Sequence, residues 1–185
     1  MTGRYGTPRF VVATTQDLDA RARAQIVRVC VAAHDEPDFE NLFTYINPSI
    51  PSGGRHFMAF DGEELAAHAV VTPRWLRYGD MRLTTAYVDA VATLPTYEGQ
   101  GYGTAVMRML AQNVEEYEIC CLETERPPFY ERLGWELWRG PLGGLRGDEV
   151  SPTPEQQGIM ILRTPRTPPL DLGAELLIEA DGRIW

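Results

Sequence analysis

The segment that most restricts the fold of this chain is residues 95–103, PTYEGQGYG, which sets Gly99, Gly101 and Gly103 within five positions. It follows residues 82–94, RLTTAYVDAVATL, whose β-branched and aromatic side chains read as a long strand. It precedes a helix predicted from about Gly101 to Glu116, with Val106, Met109, Leu110 and Val114 spaced for one face. A short buried strand over residues 119–124 comes next. Strand, glycine turn, helix and strand together make a crossover that pairs two strands in parallel. Two readings of the glycines stand side by side. Glycine lets backbone approach a ligand closely, and the first turn of a helix offers unpaired N–H groups and a positive dipole end to phosphate without any lysine. The same pattern also serves as a plain tight turn. The segment lacks the Lys-Ser/Thr of a P-loop, and its spacing departs from the dinucleotide fingerprint.

The rest of the chain fits around that unit. Residues 9–14 read as a strand and 18–33 as a helix with Ile26, Val29, Cys30 and Ala33 inward. Residues 35–45 form a short acidic, aromatic segment in which a second helix is expected from near Pro37, and 47–54 a loop. Strands at 55–60, 65–78 and 82–94 make an antiparallel meander, with Pro73 marking an irregularity or an edge. A helix starts at Pro127 or Pro128 and ends at Gly134, a strand covers 135–138, and 159–163 is the last strand. Residues 140–158, rich in Gly, Pro and charge, read as a connection. A proline-rich tail from Thr164 carries an apolar patch at 174–178 and reaches Trp185. Trp75, Trp135 and Trp138 suit either a dimer surface or the core. The fold class is therefore mixed α/β (α+β type), with a mostly antiparallel sheet flanked by helices. At 185 residues the expectation is one domain, with a core at 9–163 and a tail at 164–185.

Charge narrows the partners. Seventeen basic against 26 acidic residues give a net charge of −9. That balance disfavours nucleic acid and anionic membranes and suits a cationic small molecule. Cys30, Cys120 and Cys121, with His34, His56 and His68, show no metal-ligand spacing, so no metal is expected. Neither a secretory signal nor a membrane span is legible, and a cytoplasmic protein is expected.

The stretch AVATLPTYEGQGYGTAVMRML resembles the acetyl-CoA-binding segment of the GCN5-related N-acetyltransferase superfamily, whose pattern is Gln/Arg-x-x-Gly-x-Gly/Ala. In the usual register Gly101 and Gly103 match while Glu98 replaces the leading Gln/Arg; in a second register Gln100, Gly103 and Ala105 all match. PPFYERLGWELW resembles the fourth helix and following strand of that superfamily through Tyr130, Gly134 and Trp135. A closer resemblance is to the aminoglycoside 2′-N-acetyltransferases. It rests on residues 77–79 (Arg-Tyr-Gly), on 87–92 (YVDAVA) and on the Ala174-Glu175-Leu176 tail closing on Trp185.

That resemblance implies an acetyl-CoA-dependent N-acetyltransferase in which an amine attacks the thioester directly. It places the coenzyme on Val91, Ala92 and Thr93 and on Glu98, Gly99, Gln100, Gly101, Tyr102, Gly103 and Thr104. It makes Tyr130 the acid for the leaving thiolate and Asp89 the base, acting through a water. A charge at position 89, mid-strand among apolar neighbours, independently suggests a functional or wet site. Acceptor binding falls to an acidic segment (Asp35, Glu36, Asp38, Glu40), to Glu123 and to Trp185, with the tail closing that site. Arg183 stands where an acidic residue is usual, so a substrate bearing an acid group as well as an amine, as kasugamycin does, is the expected preference. A homodimer is expected from the same resemblance. Two other functions stay open: acetylation of another small amine or a peptide amine, and a non-catalytic module that binds coenzyme or antibiotic.

Overall fold

An aspartate and a hydrophobic stripe set the first helix. Asp19 Oδ1 accepts the Ala22 N–H at 2.7 Å, an N-cap that starts α1 (Ala20–His34). Ile26, Val29 and Cys30, at three- and four-residue spacing, are its buried face. The computed structural model describes residues 8–34, 43, 54–180 and 184–185. Around α1 the order is β1 (Arg9–Thr14), β2 (Arg55–Asp61), β3 (Glu64–Tyr78), β4 (Met81–Thr93), α2 (Tyr102–Ala111), β5 (Ile119–Glu123) and α3 (Pro127–Glu131). Then come β6 (Glu136–Leu137), β7 (Leu142–Arg146), β8 (Glu149–Pro152), β9 (Ile159–Arg163) and β10 (Leu176–Glu179).

The chain divides into two units, one of Met1–Val71 with Asp89–Leu110 and the other of Thr72–Val88 with Ala111–Trp185, so β3 and β4 run through both. In the first unit β1 pairs antiparallel with β2, and β2 with β3. Its core sets Ile26, Val29 and Cys30 with Met58, Leu65, Ala92 and Leu94. In the second unit the strands lie in the order β6-β9-β5-β4-β3-β10-β7-β8. Here β5 is parallel to β4 over Thr85–Val88 and antiparallel to β9, the parallel pair the crossover requires. Ile119, Cys120, Cys121 and Leu122 of β5 are buried, as an interior strand demands.

Four expectations need correction. The helix predicted to Glu116 ends at Ala111; Val114 keeps the helical spacing and is buried, but in a turn that its carbonyl closes onto the Tyr117 N–H (3.1 Å). Residues 140–158 are no mere connection, because they hold β7 and β8 paired as a hairpin. Gly143 and Gly144 sit inside β7 because a Cβ there would meet Leu177 at 2.9 Å and Ile184 at 2.8 Å. The strand expected at 135–138 shrinks to Glu136–Leu137, and Trp135 and Trp138 are buried in the unit rather than on a surface. The apolar patch of the tail becomes β10, parallel to β7 and antiparallel to β3. The helix expected near Pro37 lies, except for Phe43, outside the described residues.

Candidate functional site

In the first unit β4 leads to the glycine turn. Leu94 N–H bonds back to the Ala66 carbonyl (2.9 Å), and one helical turn, Pro95–Tyr97, follows. Its Tyr97 hydroxyl donates to Glu64 (2.9 Å) and lies 3.4 Å from Asp61 Oδ2, and Tyr97 meets Tyr102 edge-on at 5.2 Å. Glu64 is also bonded to Arg28, whose cation holds its carboxyl below the usual carboxylate range. These contacts pin the turn at both ends. Gly99 (φ 72°) and Gly101 (φ 89°) adopt left-handed backbone with open space where a side chain would stand. The first α-helical bond of α2 joins Ala105 N–H to Gly101 O at 2.9 Å. The Gly103 and Thr104 N–H groups therefore precede any helical acceptor. An exposed turn left open at Gly99 and Gly101, beside the positive end of a ten-residue helix, fits a phosphate group. Glu98, Gln100 and Gly99 are exposed around it, and the Gln100 amide is tied to the Thr96 carbonyl at 2.8 Å.

Upstream on β4, Asp89 is half-buried, and so are Val91 and Thr93, whereas Ala92 is buried. The β4–β5 ladder runs over Thr85–Val88 only. Between Asp89 and Val91, Ala90 has φ 49°. Its carbonyl faces His68 Nδ1 at 2.9 Å.

The second unit gathers three of the expected residues. Tyr130, on α3, is buried between Phe129 (4.9 Å, edge-on) and Trp135 (6.0 Å, edge-on). Burial pushes its phenol up to about 12, against the smaller opposing effects of a Thr124 side-chain hydrogen bond and the Arg126 charge. It therefore stays protonated through the neutral range. Glu123, exposed at the end of β5 and next to Thr124, accepts a bond from the Gln156 amide at 2.7 Å. The Gln156 N–H closes a turn on the Thr153 carbonyl (3.0 Å), and the Thr153 hydroxyl accepts the indole N–H of buried Trp185 at 3.1 Å. Trp185, Thr153, Gln156, Glu123 and Thr124 thus lie on one path of chain and hydrogen bonds, and Thr124 acts in turn on the Tyr130 phenol. Arg74 adds a bond to the Ile184 carbonyl (2.9 Å) and lies 4.8 Å over the Tyr87 ring.

Sequence reasoning missed Thr124, Thr153, Gln156 and Arg74, along with His56 and His68. Thr153 and Gln156 belong to the stretch whose glycines and prolines concealed a hairpin. Asp38, Glu40 and Arg183, with Asp35 and Glu36, lie outside the described residues. Among the described residues no helix is long and apolar enough to cross a membrane.

Residues 12–138 match the model of a family described as acetyltransferase (GNAT) domain. Over 179 residues the chain is 34% identical to an aminoglycoside 2′-N-acetyltransferase of Mycolicibacterium fortuitum, covering 92% of this chain and 89% of that protein. The fold matches that of an Escherichia coli GNAT family N-acetyltransferase, YhbS, solved in complex with CoA, with a TM-score of 0.64 at 14% identity over 96% of this chain and 93% of that one. It also matches a probable N-acyltransferase of Enterococcus faecalis V583 (TM-score 0.57, 20% identity, 71% of this chain), of which this chain spans only 33%.

Proposed function

The chain belongs to the acetyltransferase (GNAT) family, acyltransferases whose cosubstrate is acetyl-CoA, and on that premise we propose that it acetylates the 2′-amino group of an aminoglycoside. The observation that carries this reading is the 34% identity to the Mycolicibacterium enzyme along 92% of the chain. The net charge of −9 supports it, since a polyamine sugar is a polycation.

Bound acetyl-CoA supplies the thioester; the chain's own residues do the rest. The N–H groups at the start of α2, with Gly99 and Gly101, hold the diphosphate, and Glu98, Gln100, Tyr102, Gly103 and Thr104 complete that turn. Backbone groups of Val91, Ala92 and Thr93 hold the pantetheine as an added strand would. A backbone N–H there faces the carbonyl oxygen as negative charge gathers on it. Asp89 takes a proton from the acceptor ammonium through a water, and the freed amine nitrogen forms the C–N bond as the C–S bond breaks. Tyr130 donates its hydroxyl hydrogen bond to the departing sulfur, and the second proton, lost by the new amide nitrogen, passes by way of that hydroxyl to the sulfur, so that coenzyme A leaves as the thiol. A phenol near 12 is a weaker acid than a thiol near 8.5, so it stabilises the thiolate without surrendering its proton permanently. Asp38, Glu40, Glu123 and Trp185 bind the acceptor.

Within this class we place an aminoglycoside with an acid group, such as kasugamycin, first. Arg183 supports that choice as a residue of the sequence, since a guanidinium binds a carboxylate with two parallel bonds. A homodimer in the cytoplasm completes the reading, and Trp75 and Met81, which stay exposed on β3 and β4, support the dimer alone. The test is thiol release from acetyl-CoA with kasugamycin, gentamicin-like compounds and peptide amines, with mass spectrometry locating the acetyl group. Release with aminoglycosides and acetylation at the 2′ nitrogen is the expected result. Release only with peptide amines, or none with any amine, overturns it.

A further inference from the structure

Two histidines stand where the first unit's core calls for apolar residues. His56 (1% exposed) and His68 (0%) lie on β2 and β3, next in sequence to buried Phe57, Ala67 and Ala69. Every ring nitrogen has a partner. Thr15 Oγ1 lies 3.0 Å from His56 Nε2, His56 Nδ1 lies 2.9 Å from His68 Nε2, and His68 Nδ1 lies 2.9 Å from the Ala90 carbonyl.

One end of this chain fixes all its directions. A carbonyl only accepts, so His68 Nδ1 carries hydrogen. In a neutral ring His68 Nε2 then accepts from His56 Nδ1–H, and His56 Nε2 accepts from the Thr15 hydroxyl. Burial keeps both rings neutral, pulling His68 down to about 4 and His56 to about 3. The Thr15 hydroxyl also lies 3.3 Å from the Gly54 carbonyl, and its one hydrogen serves the shorter contact. A run of donors that ends on a carbonyl delivers no proton. What it delivers is a fixed position for that carbonyl.

That position is costly to hold. Among the described residues Ala90 is the one non-glycine residue with positive φ (49°). Left-handed backbone crowds the Cβ of such a residue against the following carbonyl oxygen and is disfavoured. Strain of this kind persists where surrounding structure over-determines it, and it gathers at functional positions. Here it falls between Asp89 and residues 91–93.

We propose that His68, oriented by His56, is a positioning residue for the coenzyme's pantetheine arm: its Nδ1–H holds the Ala90 carbonyl and so fixes the left-handed kink from which residues 91–93 depart. This rests on the reading that residues 91–93 receive the pantetheine.

The experiment is calorimetric titration with coenzyme A and, separately, with adenosine 3′-phosphate 5′-diphosphate, the coenzyme without its pantetheine. His68→Leu removes the donor to Ala90. His68→Gln reaches the Nε2 place and, like the leucine variant, leaves the Ala90 carbonyl only the long contact of the Cys30 thiol at 4.0 Å, so it carries the same expectation should the leucine variant not fold. His68→Asn places an amide N–H near Nδ1. Either of the first two variants binds coenzyme A about tenfold or more weakly while the truncated nucleotide binds as it does to wild type, and His68→Asn recovers most of the loss. A purely structural role weakens both ligands alike or only lowers the melting temperature, and either result overturns the proposal. Wild type binding coenzyme A no more tightly than the truncated nucleotide overturns the placement of the pantetheine and the proposal with it. Wild type that binds neither overturns the acetyl-CoA reading itself.

Discussion

At the scale of single residues the proposed chemistry turns on Tyr130. Its burial against Phe129 and Trp135 raises its pKa to about 12, so no alkaline limb of the rate profile below that value belongs to it. Tyr130→Phe removes one hydroxyl and keeps the ring packing. It is expected to lower kcat about a hundredfold or more, in the range of general acid contributions, with a smaller change in the acetyl-CoA KM. Steady-state kinetics with a saturating amine measures both, and an unchanged kcat with chemistry rate-limiting removes Tyr130 from the reaction. The three cysteines help such an assay. All are buried, and burial holds Cys30 and Cys120 up at about 12, so the protein adds little thiol background to the coenzyme released. The family resemblance pointed to Tyr130, and residue type and spacing pointed to Asp89 and the glycines. They did not separate Gly99 and Gly101, which need left-handed backbone, from Gly103, which does not. That distinction depends on where the helix begins, a matter of one residue.

At the scale of elements, most strands were legible because alternation and β-branching are local properties: β1 and β9 fall where the sequence placed them, and β2 to β5 within a residue or so at each end. The β7–β8 hairpin was not legible. Its glycines answer to contacts with Leu177 and Ile184, more than thirty positions away, which no local window contains. Gly158 is a similar case with a consequence for the site. It has φ 74°, its carbonyl accepts the Thr124 N–H at 3.0 Å, and a Cβ on it would stand 2.0 Å from the Thr124 carbonyl. Thr124 in turn acts on the Tyr130 phenol, opposing the rise that burial causes, and follows Glu123. Gly158→Ala therefore combines left-handed strain with a backbone clash that no rotamer relieves. It is expected to destabilise by about 3 kcal/mol or more, roughly 6–12 °C in Tm for a chain of this size, and to lower activity at temperatures where it remains folded. Thermal unfolding followed by circular dichroism reads the first effect. A shift within about 1 °C contradicts the clash, since 1 kcal/mol corresponds to about 2–4 °C here.

At the scale of the whole molecule, the excess of acid suggested a cationic ligand but was silent about stability, which the buried histidine pair controls over one window of pH. The folded rings have pKa values near 3 and 4, below the 6.5 of a free imidazole, because burial opposes their charging. Above pH 6.5 both folded and unfolded chains carry the pair neutral, and there is no differential. Between about 6.5 and 4 the unfolded chain takes up two protons that the folded one refuses, so stability falls as pH falls. At 1.36 kcal/mol per unit, each ring contributes a few kcal/mol by pH 4. Carboxylates held by cations, such as Glu64 and Glu179, act lower, because their pKa is depressed and their contribution is lost only as pH falls past the ordinary carboxylate value. The upper part of the acid limb, from about 6.5 to 4.5, therefore belongs to histidine. Urea unfolding across this range is expected to show free energy declining from pH 6.5 downward. A chain carrying His56→Asn and His68→Asn together starts less stable at pH 7 but loses distinctly less by pH 4.5. Equal slopes in the two proteins mean that the pair is protonated in the folded state as readily as in the unfolded, and that the run of bonds from Thr15 to Ala90 does not hold in solution.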